Sequence, residues 1–172
     1  MMNRILIDSA TIQRRVRELG ASVSRDFAGQ ELQAVIVLKG ATIFAADLLR
    51  SISVPICIEF IEVSSYCGTE SAAGVTVVKD LRTSVEGRNL LLIEDIVDTG
   101  LTLSFLIKRL QALGPRSLRV CALLSKPGRR QTQVDIDYLG FTIADEFVVG
   151  YGLDYAEHFR NLPDLCIWQG NC

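Results

Sequence analysis

The feature that most constrains this chain is an apolar strand that runs directly into acid. Residues Asn89-Leu90-Leu91-Leu92-Ile93 are almost wholly apolar. A strand with two apolar faces belongs near the centre of a sheet that is covered on both sides. It continues as Glu94-Asp95-Ile96-Val97-Asp98-Thr99-Gly100-Leu101-Thr102, with three carboxylates inside five residues. In open α/β sheets, ligands bind at this carboxyl end of the strands. Side chains alternate along a strand, so Glu94 and Asp95 point to different sides as the strand leaves the sheet. Clustered acids repel one another unless a cation or hydroxyl donors lie nearby. A sugar diol and Mg²⁺ would supply both.

The next residues turn into a helix. Backbone N–H groups at a helix N-terminus make an anion site, and Thr99 and Thr102 add hydroxyl donors. Gly100 lets the backbone approach a phosphate closely. Asp98 or Thr99 capping a helix would by itself be commonplace. An acidic pair joined to a capped turn after an apolar strand is far more specific. Leu103, Leu106, Ile107, Leu110 and Leu113 mark one helical stripe, and Gly114-Pro115 ends it.

The rest of the chain alternates strand and helix, which predicts a parallel sheet covered on both faces. A first helix follows Asp8-Ser9, with Ile12, Val16 and Leu19 on one stripe. Gln33 to Leu38 reads as a buried strand, Ala41 to Leu49 as a helix, Ile56 to Ile61 as a strand, and Leu118 to Leu124 as another. Ser64 to Gly74 is rich in small and polar residues. It reads as a long loop of the kind that forms lids, and equally well as an ordinary hairpin connection. From Val134 onward, short strands and turns predict a smaller subdomain. The chain has 172 residues, no repeat and no linker, which suits one domain with one sizeable core.

Composition removes several function classes. The net charge is −2 and the pI about 5.4. Arg14-Arg15-Val16-Arg17 and Gly128-Arg129-Arg130 are the densest basic runs. Both are too short for a nucleic-acid footprint and read as a solvated helix face and a loop. The five cysteines, at 57, 67, 121, 166 and 172, include no CxxC, and His158 is the only histidine. Neither a disulfide framework nor a zinc site is expected. The first residues lack a signal-peptide core, and no apolar run approaches the ~20 residues of a membrane helix. Together these features predict a reducing cytoplasm and no membrane contact.

The segment Leu92 to Thr102 resembles the motif of the type I phosphoribosyltransferases that binds phosphoribosyl pyrophosphate (PRPP). Four more segments resemble the hypoxanthine/guanine branch of that family. They are Val37-Leu38-Lys39-Gly40, Ser64-Ser65-Tyr66, Ser125-Lys126-Pro127, and Phe147 to Tyr155 with Phe159-Arg160 after it. The likeness covers nearly the whole chain, in order and at similar spacing. It implies the type I fold, a central and mainly parallel twisted sheet flanked by helices. A small hood would be formed mainly by 134–172 with the N-terminus, and a mobile lid by about 64–75.

The resemblance also implies roles. Glu94 and Asp95 would hold the ribose hydroxyls, partly through Mg²⁺. Asp98, Thr99, Gly100, Leu101 and Thr102 would cradle the 5′-phosphate. Some relatives have Lys where Leu101 stands, but that position acts through its backbone N–H. Leu38, Lys39 and Gly40 would form a pyrophosphate loop, where the family has a non-proline cis peptide before the lysine. Arg160 would pair with pyrophosphate through its guanidinium fork. Lys126 would donate to the purine's O6; facing adenine's 6-amino group it would set donor against donor. Phe147 would stack on the base, Val148 would read its edge through the backbone, and Asp154 would hold a second Mg²⁺. Ser65 and Tyr66 would sit at the lid tip, with Cys67 beside them as an oxidation liability. His158 receives no role.

The implied reaction joins a 6-oxopurine to PRPP, giving IMP or GMP and pyrophosphate, with Asp98 as general base. The family also implies a homodimer or homotetramer. A PRPP-binding regulator that binds RNA would need a basic face, against which the acidic pI argues. An orotate or adenine enzyme would not call for Lys126 and the Phe147-to-Asp154 segment. Preference among hypoxanthine, guanine and xanthine is not legible in these residues.

Overall fold

The computed structural model describes residues 4–66 and 74–170. The strand at 89 is central, as its composition requires. It is β5 (Asn89–Val97), fifth of nine strands: β1 (Arg4–Ile7), β2 (Leu32–Leu38), β3 (Ile56–Tyr66), β4 (Gly74–Lys79), β5, β6 (Ser117–Ser125), β7 (Tyr138–Thr142), β8 (Val148–Val149) and β9 (Leu165–Ile167). Three helices, α1 (Ser9–Asp26), α2 (Thr42–Arg50) and α3 (Leu101–Ala112), complete the regular elements, with a 3₁₀ turn at Pro127–Arg129.

The main sheet has the order β4-β3-β2-β5-β6-β7. All its pairs are parallel except β3 with β4. Alternation divides β5 between two cores. Leu91 and Ile93 pack with Ile12, Val16, Phe44 and Leu48 of α1 and α2. Leu90 and Leu92 pack with Leu103, Leu106 and Leu110 of α3. All four leucines and isoleucines of that run are fully buried, which is why the strand needs apolar residues on both faces. The Asp8 carboxylate caps α1 by accepting from the Thr11 N–H at 2.9 Å.

A second, antiparallel sheet has the order β1-β9-β8 and joins the two ends of the described chain. Sequence patterning missed β1 and β4 and stopped β3 at Ile61. In the structure β3 runs on to Tyr66, and Val63, Ser64, Ser65 and Tyr66 pair with Val77, Thr76, Val75 and Gly74. Thus the ends of the expected loop are the arms of a hairpin. Backbone pairing to a neighbouring strand overrides the weak propensity of small polar residues. Residues 67–73, the rest of that loop including Cys67, lie outside the described residues. Among the described residues no helix is long and apolar enough to cross a membrane.

Leu91 has no exposed surface and sits in the strand that both cores share. Leu91→Ala should cost about 3 kcal/mol through lost transfer energy and a residual cavity. Urea denaturation would show it as a lower midpoint at an unchanged slope.

Candidate active site

The carboxyl edge of the main sheet gathers the candidate residues, and β5 supplies the centre. Glu94 is 7% exposed and Asp95 lies next to it, half-buried. Burial is the main force raising the Glu94 carboxyl well above its ordinary value, and the neighbouring Asp95 charge adds to it. Burial also raises Asp95, although backbone donors oppose the shift. The Ile96 N–H donates to the Asp95 carboxylate at 2.7 Å, and the Asp95 N–H to Glu94 at 3.2 Å. These local donors only partly offset the desolvation.

Beyond Val97 the chain turns. Gly100 has φ +83°, a left-handed conformation that glycine adopts without strain, and it caps α3. Glu94, Asp98, Thr99, Gly100 and Thr102 line a cavity of about 80 Å³ over this bend. Thr99 accepts from the Leu101 N–H at 3.4 Å, and its carbonyl accepts from the N–H groups of Gln131 and Thr132. The bend is therefore braced from behind by the 126–132 loop while its front opens on the cavity.

Two other loops close in on the acids. The Leu38-Lys39 peptide is cis, and α2 starts directly after it, with the Lys39 carbonyl accepting from Thr42. A side chain at Gly40 would strike the Asp95 carboxylate, and one at Gly152 would strike the Gly40 carbonyl. Three segments thus meet closely, Gly152 against the Gly40 backbone and Gly40 against the Asp95 side chain. Arg160 holds this arrangement: it donates to the Gly152 carbonyl at 2.8 Å and pairs with Asp154 at 2.9 Å. Its charge also reaches Asp95. Its buried Nε–H has no hydrogen-bond partner among the described residues. Asp154 also accepts from the Glu157 N–H, and Lys39 pairs with Glu157 at 3.2 Å. Asp154 therefore faces Arg160, and no group of three or more acidic, cysteine or histidine ligands converges among the described residues.

The third side is built by β6, β7 and β8. Lys126 follows β6, is 7% exposed, and donates its N–H to the Val97 carbonyl at 3.0 Å. Phe147 is 53% exposed at the rim. Its ring meets Tyr155 edge-on at 6.0 Å, Tyr155 stacks on Trp168 at 4.7 Å, and the Trp168 N–H donates to the Phe147 carbonyl. Val148 is buried in β8, paired with Ile167. His158 lies against Phe159 in the same aromatic group. Asp98 is half-buried, and Arg129 Nε lies 2.9 Å from its Oδ1 as an ion pair, without the alignment of a hydrogen bond.

Sequence reading missed several of these partners. Composition predicts a solvated loop at Arg129 and Arg130, whereas Arg130 donates to the Asp98 carbonyl at 3.0 Å and to Ser125 at 2.7 Å. Asp145, Tyr155 and Trp168 were not singled out. Only the basic run at 128–130 gave any signal, and its weight came from its position after Lys126.

A mainly parallel six-stranded sheet, with paired acids and an amide-lined turn at its carboxyl edge, is the architecture of a type I phosphoribosyltransferase. Residues 5–156 match the family model described as phosphoribosyl transferase domain. The hypoxanthine-guanine phosphoribosyltransferase of Mycobacterium avium is 50% identical over 165 residues, covering 92% of this chain and 81% of the relative. That of Bacillus subtilis is 45% identical over 163 residues, covering 94% and 91%. A crystal structure of a hypoxanthine-guanine phosphoribosyltransferase from Bacillus anthracis superposes with TM-score 0.93 at 43% identity, covering 98% of this chain and 99% of that one. The chain belongs to the phosphoribosyl transferase family, in its hypoxanthine-guanine branch.

Burial makes Glu94 release its proton at a higher pH in the folded chain than in the unfolded one. Rising pH therefore draws the ligand-free protein toward unfolding. Glu94→Gln should raise the melting temperature more at pH 8 than at pH 5, by a few degrees for about 1 kcal/mol. A gain that shrinks with pH in a thermal-melt series would contradict this account of the acidic pair.

Proposed function

We propose that this chain is a purine-salvage enzyme that transfers the 5-phosphoribosyl group from PRPP to hypoxanthine or guanine, yielding IMP or GMP and pyrophosphate. One observation carries the reading: a glycine-capped bend opens on a cavity lined by buried Glu94, with half-buried Asp95 next to it. Relatives named for this activity, similar over almost the whole chain, support it.

Glu94 and Asp95 take the ribose hydroxyls, whose donors relieve the repulsion between the two carboxylates. The amides of the 98–102 bend, with Thr99 and Thr102, receive the 5′-phosphate. The Leu38-Lys39-Gly40 loop and Arg160 take the pyrophosphate, and an anionic oxygen would satisfy the orphaned Arg160 Nε–H. Lys126 donates to the purine O6, Phe147 stacks on the ring with its exposed face, and Val148 reads the edge through its backbone. The three-stranded sheet that carries Val148 acts as the hood.

The residues fit Mg²⁺. Glu94 and Asp95 offer hard oxygen donors at the cost of mutual repulsion, and magnesium is commonly held by one or two carboxylates together with substrate oxygens. Asp154 is the candidate for a second ion, held with pyrophosphate. When bound, the metal supplies charge neutralisation for the departing pyrophosphate.

Bond-breaking at C1′ releases pyrophosphate as positive charge builds on the sugar, and purine N9 attacks the opposite face. Asp98 assists by taking the proton at N7, and Arg129 fixes the position of its carboxylate.

Asp98→Asn should leave circular dichroism and PRPP binding intact while lowering kcat about 10²- to 10⁴-fold. Unchanged turnover would remove Asp98 from the mechanism. Initial rates with PRPP, Mg²⁺ and each of hypoxanthine, guanine, xanthine and adenine test the reaction itself. Activity restricted to the 6-oxopurines is the expected result, and turnover of adenine alone would overturn it.

A further inference from the structure

We infer that Asp145, which the proposed reaction does not use, is a positioning residue that aims Lys126 at the 6-oxygen of the base. The inference rests on the proposed role of Lys126 and adds the group through which that role is exercised.

The placement follows from the sheet. β6 and β7 are parallel neighbours, with Ser125 opposite Thr142. Lys126 is the first residue past β6, and Asp145 follows β7 by three. The Ile143 N–H donates to the Ser125 carbonyl at 3.0 Å, which carries the exit of β7 along beside β6. A tight turn, in which the Glu146 N–H donates to the Ala144 carbonyl at 2.8 Å, then puts Asp145 at its tip. The Asp145 carboxylate lies 3.9 Å from Lys126 Nζ and 3.4 Å from the Arg129 guanidinium.

A lysine ammonium is a point charge on a flexible four-carbon stem, with no fixed direction of its own. The base of the stem is fixed here, because the Lys126 N–H is bonded to Val97. The tip is restrained by Asp145, its ion-pair partner among the described residues. Arg129 shares the same carboxylate oxygen and reaches Asp98 with its Nε. Lys126, Asp145, Arg129 and Asp98 therefore form one chain of alternating charge. It runs from the group that meets O6 to the group proposed to handle N7. A purine presents these two atoms on one edge, so the spacing of the two protein groups has to be held. Asp145 also precedes Phe147 by two residues, so the turn that sets the lysine also sets the stacking ring.

The test is a double-mutant cycle on the full-length protein, reading KM and kcat for hypoxanthine at saturating PRPP. Asp145→Asn keeps shape and removes charge. It should raise KM for hypoxanthine about fivefold, the loss of one modest charge contact, with kcat within about twofold and KM for PRPP unchanged. Asp145→Glu should recover most of the affinity. In a Lys126→Met background, Asp145→Asn should add nothing. An effect of Asp145→Asn that persists in that background, or an unchanged KM in the single variant, overturns the inference. If Lys126→Met itself leaves KM unchanged, the reading of Lys126 is what has failed, and the role of Asp145 falls with it.

Discussion

Two carboxylates are forced together at the end of the strand that both cores share, and the surrounding structure answers that repulsion. Glu94 and Asp95 are adjacent residues of a strand held by β2 as far as Ile93 and by β6 through Glu94, Ile96 and Val97, so they have little freedom to spread apart. Gly40 leaves room for the Asp95 carboxylate and nothing more. Among the described residues no cation forms an ion pair with either acid. The cation whose charge reaches Asp95, Arg160, is committed to Asp154. The fold therefore stores a charge imbalance at one point, and the ligand that relieves it gains the corresponding free energy. A site that is costly when empty and favourable when filled is a common arrangement where binding energy is spent on orientation.

Much of the fold was legible because the strongest pattern belonged to its centre. Five consecutive apolar residues at 89–93 can be satisfied only with cover on both faces, and α1, α2 and α3 provide it. The helices followed from their stripes. The elements that escaped are those whose partners lie far away in sequence. β1 is four residues long and half exposed, and only its pairing with β9 makes it a strand. The extension of β3 beyond Ile61 depends on β4, whose register includes an irregularity between Glu62 and Val63. No local composition encodes such an offset.

The site was legible in a different measure. Residues with an unusual neighbourhood in sequence, such as 94–102, stood out, and the structure brings them together around one cavity. Asp145 and Arg129 did not stand out, because an isolated Asp and an Arg in a short basic run are ordinary on any surface. Their proximity to Lys126 arises from the parallel pairing of β6 with β7, which places two chain exits side by side. The same holds for Trp168, whose stacking on Tyr155 joins the last described strand to the 151–159 turn.

The pairing of β1 with β9 has a consequence for how this protein is born. Among the described strands β1 is made first and its partner β9 last, so β1 waits unpaired while the strands between them are made. Over that interval β2, α2, β3, β5 and α3 can already assemble, because the pairings of β2 with β3 and β5 need nothing made after β5. The acidic pair and the glycine-capped bend would thus exist before Lys126, Asp145 and Arg160 have been made. When β9 docks between β1 and β8, the small sheet closes. A ribosome stalled before residue 165 would hold a largely folded but catalytically unfinished chain.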